Sequence, residues 1–117
     1  MSKTIKDIQN NLKDFAIERD WEQFHSPKNL SMALAVEVSE LQEHFQWLTE
    51  EQSYLEGNKV TKEAVQEELA DVFLYLVRLC DQLDVDIIES ANKKIKVNAA
   101  KYPTELCMGK PLKYNQL

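Results

Sequence analysis

Apolar residues recur at every third or fourth position along most of this chain, the period of amphipathic helices. Ile5, Ile8, Leu12 and Phe15 share one stripe and predict a helix over about residues 4–19. Ser2 or Thr4 can cap it, with Asp7 completing the pattern after Thr4. A loop over residues 20–29 follows. Within it, Ser26 and Pro27 form an N-cap and a first-turn proline, opening a second helix that runs to about residue 48. Leu34, Val38, Leu41, Phe45 and Leu48 make its core stripe. A polar stretch with Gly57 and Asn58 leads to a third helix, capped by Thr61 and running to about residue 83. Its stripe is Val65, Leu69, Val72, Leu76, Leu79 and Leu83. A fourth helix is expected over about residues 86–101 with Ile88, Ala91, Ile95 and Ala99, and Pro103 stops it. Residues 104–117, holding Gly109 and Pro111, are expected to form an irregular tail.

The 4-3 spacing of these stripes is that of helices packed at shallow angles in a bundle. Phe73, Val77 and Cys80 widen the apolar face of the third helix, which makes it central or buried against another subunit. A chain of 117 residues suffices for a single domain with one core, helical here over about residues 4–103. Two glycines and three prolines leave little material for tight turns, so the expected class is all-α, four-helix-bundle-like. No apolar run reaches the ~20 residues of a membrane span. The first residues lack a signal-peptide apolar region, so a cytoplasmic location is expected. Cys80 falls in a helical apolar pattern and Cys107 in the tail, which argues against a disulfide framework or structural zinc. A net charge of −6 disfavours nucleic-acid polymers as partners. An anionic small molecule remains open, because metal ions reverse the local charge of an acidic cleft.

The placement of charge carries the chemistry. Glu37 and Glu40 form an E-x-x-E on the second helix, and Glu68 and Asp71 an E-x-x-D on the third. A spacing of i,i+3 puts both acids of a pair on one helix face. Each pair lies one residue before its core stripe, roughly 100° around the helix. The stripe is Ala33, Glu37, Glu40, His44 and Trp47 on the second helix, and Ala64, Glu68, Asp71, Tyr75 and Arg78 on the third. On the fourth helix the same offset gives Lys94, Asn98 and Lys101. Solvated charges usually lie opposite a core. Acids beside one become partly buried between helices, and buried like charges repel unless a cation or proton offsets them. One acid pair arises easily by chance in a helical chain this acidic; two in matching phase point to a metal. Oxygen-only donors suit Mg²⁺, with Mn²⁺ as a substitute. A di-iron carboxylate bundle uses Glu-x-x-His, whereas His44 follows Glu40 by four. Gly57 and Gly109 stand alone, so no glycine-rich phosphate loop is available.

These residues and their flanks resemble a known family. The run Asp20-Trp21-Glu22-Gln23-Phe24-His25-Ser26-Pro27-Lys28-Asn29-Leu30 is similar to the signature that precedes the first acidic helix in dCTP pyrophosphatase-like proteins. The segments around Glu37/Glu40 and Glu68/Asp71 resemble their two acidic helices, and Lys94, Asn98, Lys101, Tyr102 and Pro103 their closing segment. The match covers about residues 5–103. It places the chain beside the MazG-like, all-α nucleoside triphosphate pyrophosphohydrolases. The resemblance implies a helical bundle completed by oligomerisation, as a homodimer or homotetramer, with Mg²⁺ held by the four acids. It also implies hydrolysis of a (deoxy)nucleoside triphosphate, dCTP or a modified pyrimidine dNTP, to monophosphate and pyrophosphate, a house-cleaning task for the nucleotide pool.

Under that resemblance Glu37, Glu40, Glu68 and Asp71 are metal ligands and catalytic groups, with Glu37 or Glu40 favoured as general base. Lys94 and Lys101 would meet phosphate charge and Asn98 would donate a hydrogen bond; alone, they read as an ordinary basic face. Trp47, about 10 Å along a helix from Glu40, would stack on the base or close the end of the core. Trp21 and Phe24 would line the same pocket or clamp the loop. His25 contacts base or sugar, or is structural; Asn29 contacts the nucleotide or caps locally. Tyr102 packs under the sugar or ends the core stripe. Glu43 and Glu67 read as solvated boundary residues. Two other readings stand. One is a non-catalytic helical interaction module with solvated acids. The other is a related dUTP or phosphoribosyl-ATP pyrophosphohydrolase, families that share the acid pairs but generally lack the Trp-x-x-Phe-His signature.

Overall fold

Capping chemistry sets where each helix begins. In a computed structural model describing residues 3–117, α1 spans Ile5–Glu18. Thr4 is its cap, the Oγ1 accepting from the Asp7 backbone N–H at 3.0 Å, as expected. Ser2, the other cap considered, lies outside the described residues. At the far end, Trp21 N–H donates to the Ala16 carbonyl (2.8 Å) and Asp20 N–H to that of Ile17 (3.1 Å). Asp20 takes a left-handed φ of 54°. This is a Schellman motif, and its usual apolar clasp is the Phe15–Trp21 edge contact at 5.7 Å. The turn therefore folds Trp21 back onto α1 rather than leaving it free in a loop.

A 3₁₀ turn over Glu22–Phe24 leads into α2, Pro27–Glu43. Ser26 Oγ accepts from the Asn29 N–H at 3.1 Å, and Pro27 takes the first helical position, as the sequence predicts. Ser26→Ala should therefore cost about 1 kcal/mol of stability. A urea-denaturation midpoint unchanged from wild type would contradict this.

The second helix ends five residues before the expected residue 48. Beyond Glu43 the chain tightens into i→i+3 turns, His44 N–H to Leu41 and Phe45 N–H to Gln42. Thr49 and Gln52 then exchange side-chain and backbone hydrogen bonds at 3.0 and 3.1 Å, starting a new turn that a continuous helix cannot hold. The expected cap of the third helix is also corrected. Asn58, not Thr61, supplies it, its Oδ1 accepting from the Thr61 N–H at 3.1 Å. Gly57, at φ 72°, delivers Asn58 to that position, so α3 runs Lys59–Gln82.

Helix α2 packs along α3, and α1 packs along α3 as well. These helices and their connections form a compact unit ending at Asp84. Its core holds Ala16, Leu30, Leu55, Val65, Val77 and Cys80, with Arg78 the buried charged residue among them. Cys80 is the small core residue its pattern predicts. Val38, Leu69 and Leu83, expected in the core stripes, are about half-exposed, at 45%, 50% and 52%. Glu37, Glu40 and Glu68 are less exposed than these. The inward face is thus widened to take in the acids, while Leu34, Leu41, Val65, Val72 and Leu76 of the expected stripes stay buried or partly buried. Apolar residues flank Glu37 on both sides, so periodicity alone does not choose the centre of the face.

A second compact unit begins at Val85. Asp86 caps α4, Ile87–Lys101, accepting from the Glu89 N–H at 3.0 Å, close to the expected bounds. The tail is more ordered than expected. Thr104–Cys107 winds one short helix, α5, after Pro103, and Tyr114–Gln116 a 3₁₀ turn closed by Gln116 Oε1 on the Lys113 N–H. No strand occurs among the described residues, and the fold is all-α. No helix among them is long and apolar enough to cross a membrane.

Candidate metal centre and adjoining cavity

The packing of α2 on α3 brings carboxylates from both acid pairs together. Glu37, Glu40 and Glu68 each offer an oxygen, and these lie within 4.8 Å of one another. Glu37 Oε2 and Glu68 Oε2 are buried and have no hydrogen-bond partner. Two orphaned anionic oxygens inside a protein are costly unless something positive meets them. Burial first, then the neighbouring Glu68 and Glu40 side chains, push the Glu37 carboxyl up to about 7. The negative charges of Glu40 and Asp71 add to this. The hard-oxygen donor set, its closeness and its unmet charge fit a divalent cation such as Mg²⁺. Asp71 is exposed and stands outside the close trio, one turn beyond Glu68. Glu43 and Glu67 are exposed, as boundary residues should be.

Asp71 also borders a cavity of about 170 Å³ between α1, the Trp21–His25 turn and α3. Leu12, Phe15 and Leu74 form an apolar wall, and Trp21 and Tyr75 add aromatic faces. The polar groups are Asp71, His25 and Arg78. Arg78 is only 3% exposed. Its Nε donates to His25 Nδ1 at 3.2 Å, and its Nη1 to Asp81 Oδ2 at 3.3 Å. Nη2 lies 3.8 Å from Glu22 Oε1. Gln82 Nε2 donates to the His25 carbonyl at 2.6 Å, and Trp21 meets the imidazole edge-on with centroids 6.4 Å apart. Burial and the Arg78 charge hold the His25 pKa below its ordinary value, against a smaller opposing pull from Glu22.

Of the residues singled out from sequence, Trp21, His25 and Asp71 border this cavity. The Asn29 side chain donates to the Phe24 carbonyl at 3.1 Å, a local contact that closes the turn. Trp47 lies beyond the end of α2 and is 87% exposed, so a spacing from Glu40 measured along a helix does not apply to it. Lys94, Asn98, Lys101 and Tyr102 belong to the second unit and are exposed. There, Lys101 Nζ sits 4.6 Å from the Tyr114 ring centroid, and Tyr102 meets the same ring edge-on. Sequence reasoning gave Leu12 and Phe15 only a place in the core stripe, and gave no site role to Tyr75 or Arg78. The signal for the last two was present, since they continue the Glu68–Asp71 stripe by one and two turns.

Comparison with known proteins bears on this geometry. The MazG-like family matches residues 32–117. Human dCTP pyrophosphatase 1 is 43% identical over 115 residues, covering 97% of this chain and 68% of the human protein. The bovine protein of the same name is 42% identical over the same shares. The crystal structure of a pyrophosphatase from Archaeoglobus fulgidus superposes with a TM-score of 0.79 at 36% identity, covering 88% of this chain and 95% of that one.

Proposed function

The chain belongs to the MazG-like family, and from that premise we propose that it hydrolyses dCTP or a modified pyrimidine dNTP to the monophosphate and pyrophosphate. It is a nucleotide pyrophosphohydrolase. The observation that carries the reading is the junction at Asp71. It stands one turn beyond Glu68 of the acidic trio on α3, and it borders the aromatic cavity. In this reading an acidic centre suited to a phosphate-bound cation adjoins a slot for a flat ring. When bound, Mg²⁺ would neutralise phosphate charge and lower the pKa of the attacking water. Glu37, Glu40 and Glu68 would hold it, with Asp71 completing the set from the cavity side. Glu37 or Glu40 accepts the proton from water, while Trp21 and Tyr75 offer stacking faces to the base.

The working form in this proposal is a homodimer or homotetramer acting on the cytoplasmic nucleotide pool. What supports a second copy is that Met32 and Val36 on α2, Leu69 and Phe73 on α3, and Ile88 and Ile95 on α4 are large apolar side chains left 37–65% exposed. The test is a dNTP panel, with dCTP and 5-substituted dCTP, assayed for pyrophosphate and orthophosphate with Mg²⁺ and with chelator. Expected is Mg²⁺-dependent pyrophosphate release, highest in kcat/KM for a cytosine nucleotide. Release of orthophosphate alone, or turnover of no dNTP, sinks the proposal.

A further inference from the structure

We propose that Arg78 is a positioning residue for the substrate base, one that fixes His25 as the Nε2–H tautomer and so makes the imidazole a hydrogen-bond donor. The inference rests on the pyrophosphohydrolase reading above and adds how the cavity reads its ligand. Guanidinium has only donors and keeps its proton at any working pH. The Arg78 Nε contact to His25 Nδ1, 3.2 Å, can therefore form only if Nδ1 is a lone-pair acceptor. A neutral imidazole then carries its proton on Nε2. Nε2 is the polar ring atom left over, and His25 borders the cavity, so what it can offer a ligand is an N–H. A pyrimidine carbonyl oxygen or unprotonated ring nitrogen satisfies that donor; an exocyclic amino group does not.

The surroundings hold this state in place. Arg78 is 3% exposed and hydrogen-bonded to Asp81, with Glu22 3.8 Å from its other terminal nitrogen, so its fork has little freedom. Gln82 anchors the His25 backbone, and the Trp21 edge limits ring rotation. The depressed His25 pKa agrees with a neutral ring facing a permanent cation.

The chain has two histidines, so the ring nitrogens of His25 can be assigned in a ¹⁵N spectrum of the whole protein by comparison with His44→Gln. In wild type the His25 signals should be those of a neutral Nε2–H ring. Arg78→Met should give a tautomer mixture and raise KM for dCTP about tenfold with kcat nearly unchanged, the signature of lost binding rather than lost chemistry. Arg78→Lys, which keeps a donor, should restore part of both. A wild-type ring protonated on Nδ1, or on both nitrogens, overturns the proposal. So does an Arg78→Met protein whose tautomer shifts while KM does not. If Arg78→Met fails to fold, the wild-type tautomer and the KM of Arg78→Lys decide. A wild type that neither binds nor cleaves any dNTP sinks the functional reading, and with it the substrate role of Arg78. A wild type that cleaves dCTP with the other tautomer sinks only this inference.

Discussion

Glu37→Gln is expected to lower kcat/KM for pyrophosphate release by about 10²–10³-fold, roughly 3–4 kcal/mol of transition-state stabilisation. The same change should make the metal-free protein more stable at pH 8. The two effects share a cause. Glu37 sits between Glu68 and Glu40 with one oxygen buried and unpartnered. Without a cation, its ionised form is opposed by burial and by three neighbouring acids, Glu68, Glu40 and Asp71. An uncharged amide of the same shape relieves that opposition, but it is a poor ligand for a hard cation and cannot accept the proton of water. Pyrophosphate release and thermal melting, with Mg²⁺ and with chelator, measure both. A variant that loses activity and stability together would mean that Glu37 serves the fold, and one that keeps its activity would remove the metal centre from the mechanism.

Much of this site can be read from spacing alone, because helical geometry is local. Two acid pairs at i,i+3 must each share a face, and the caps at Thr4 and Ser26 follow from side chains that reach the third amide of their helices. What spacing does not carry is helix phase where apolar residues flank a charge on both sides. Val38 and Leu69 were expected inside and are half-exposed, while Glu37 and Glu68 turn inward. The end of α2 was also hidden. No glycine or proline marks it, and the stop comes from a reciprocal Thr49–Gln52 contact that competes with helix continuation. Arg78 and His25 are 53 positions apart in the chain. No local rule pairs them, and only the Schellman turn at Asp20 brings the Trp21–His25 segment over α3.

With metal chelated, the Glu37 contribution to stability is expected to fall as pH rises, by as much as about 3 kcal/mol, and Mg²⁺ should abolish most of that fall. Glu37 has a folded pKa of about 7 against an ordinary value of 4.5. Below 4.5 both folded and unfolded chains hold the proton, and this group leaves stability unchanged. Between 4.5 and 7 the folded chain keeps a proton that the unfolded chain has released. The folded state then binds more protons, so the unfolding free energy drops with each increment of pH. Above 7 both forms are ionised and the loss is complete. Other carboxylates add their own slopes, so the readable quantity is the wild-type curve minus that of Glu37→Gln, from urea melts in chelator at pH 4 to 9. A bound cation changes the sign of the local field. It favours the ionised carboxylate and competes with the proton, so its stabilisation should grow with pH. At a hundredfold excess over its dissociation constant the gain is about 2.7 kcal/mol. An Mg²⁺ shift of equal size at pH 5 and pH 8 would mean that the ion binds elsewhere. A flat difference curve would mean that Glu37 is solvated and ionised throughout, and that the acids on α2 and α3 form no cation site.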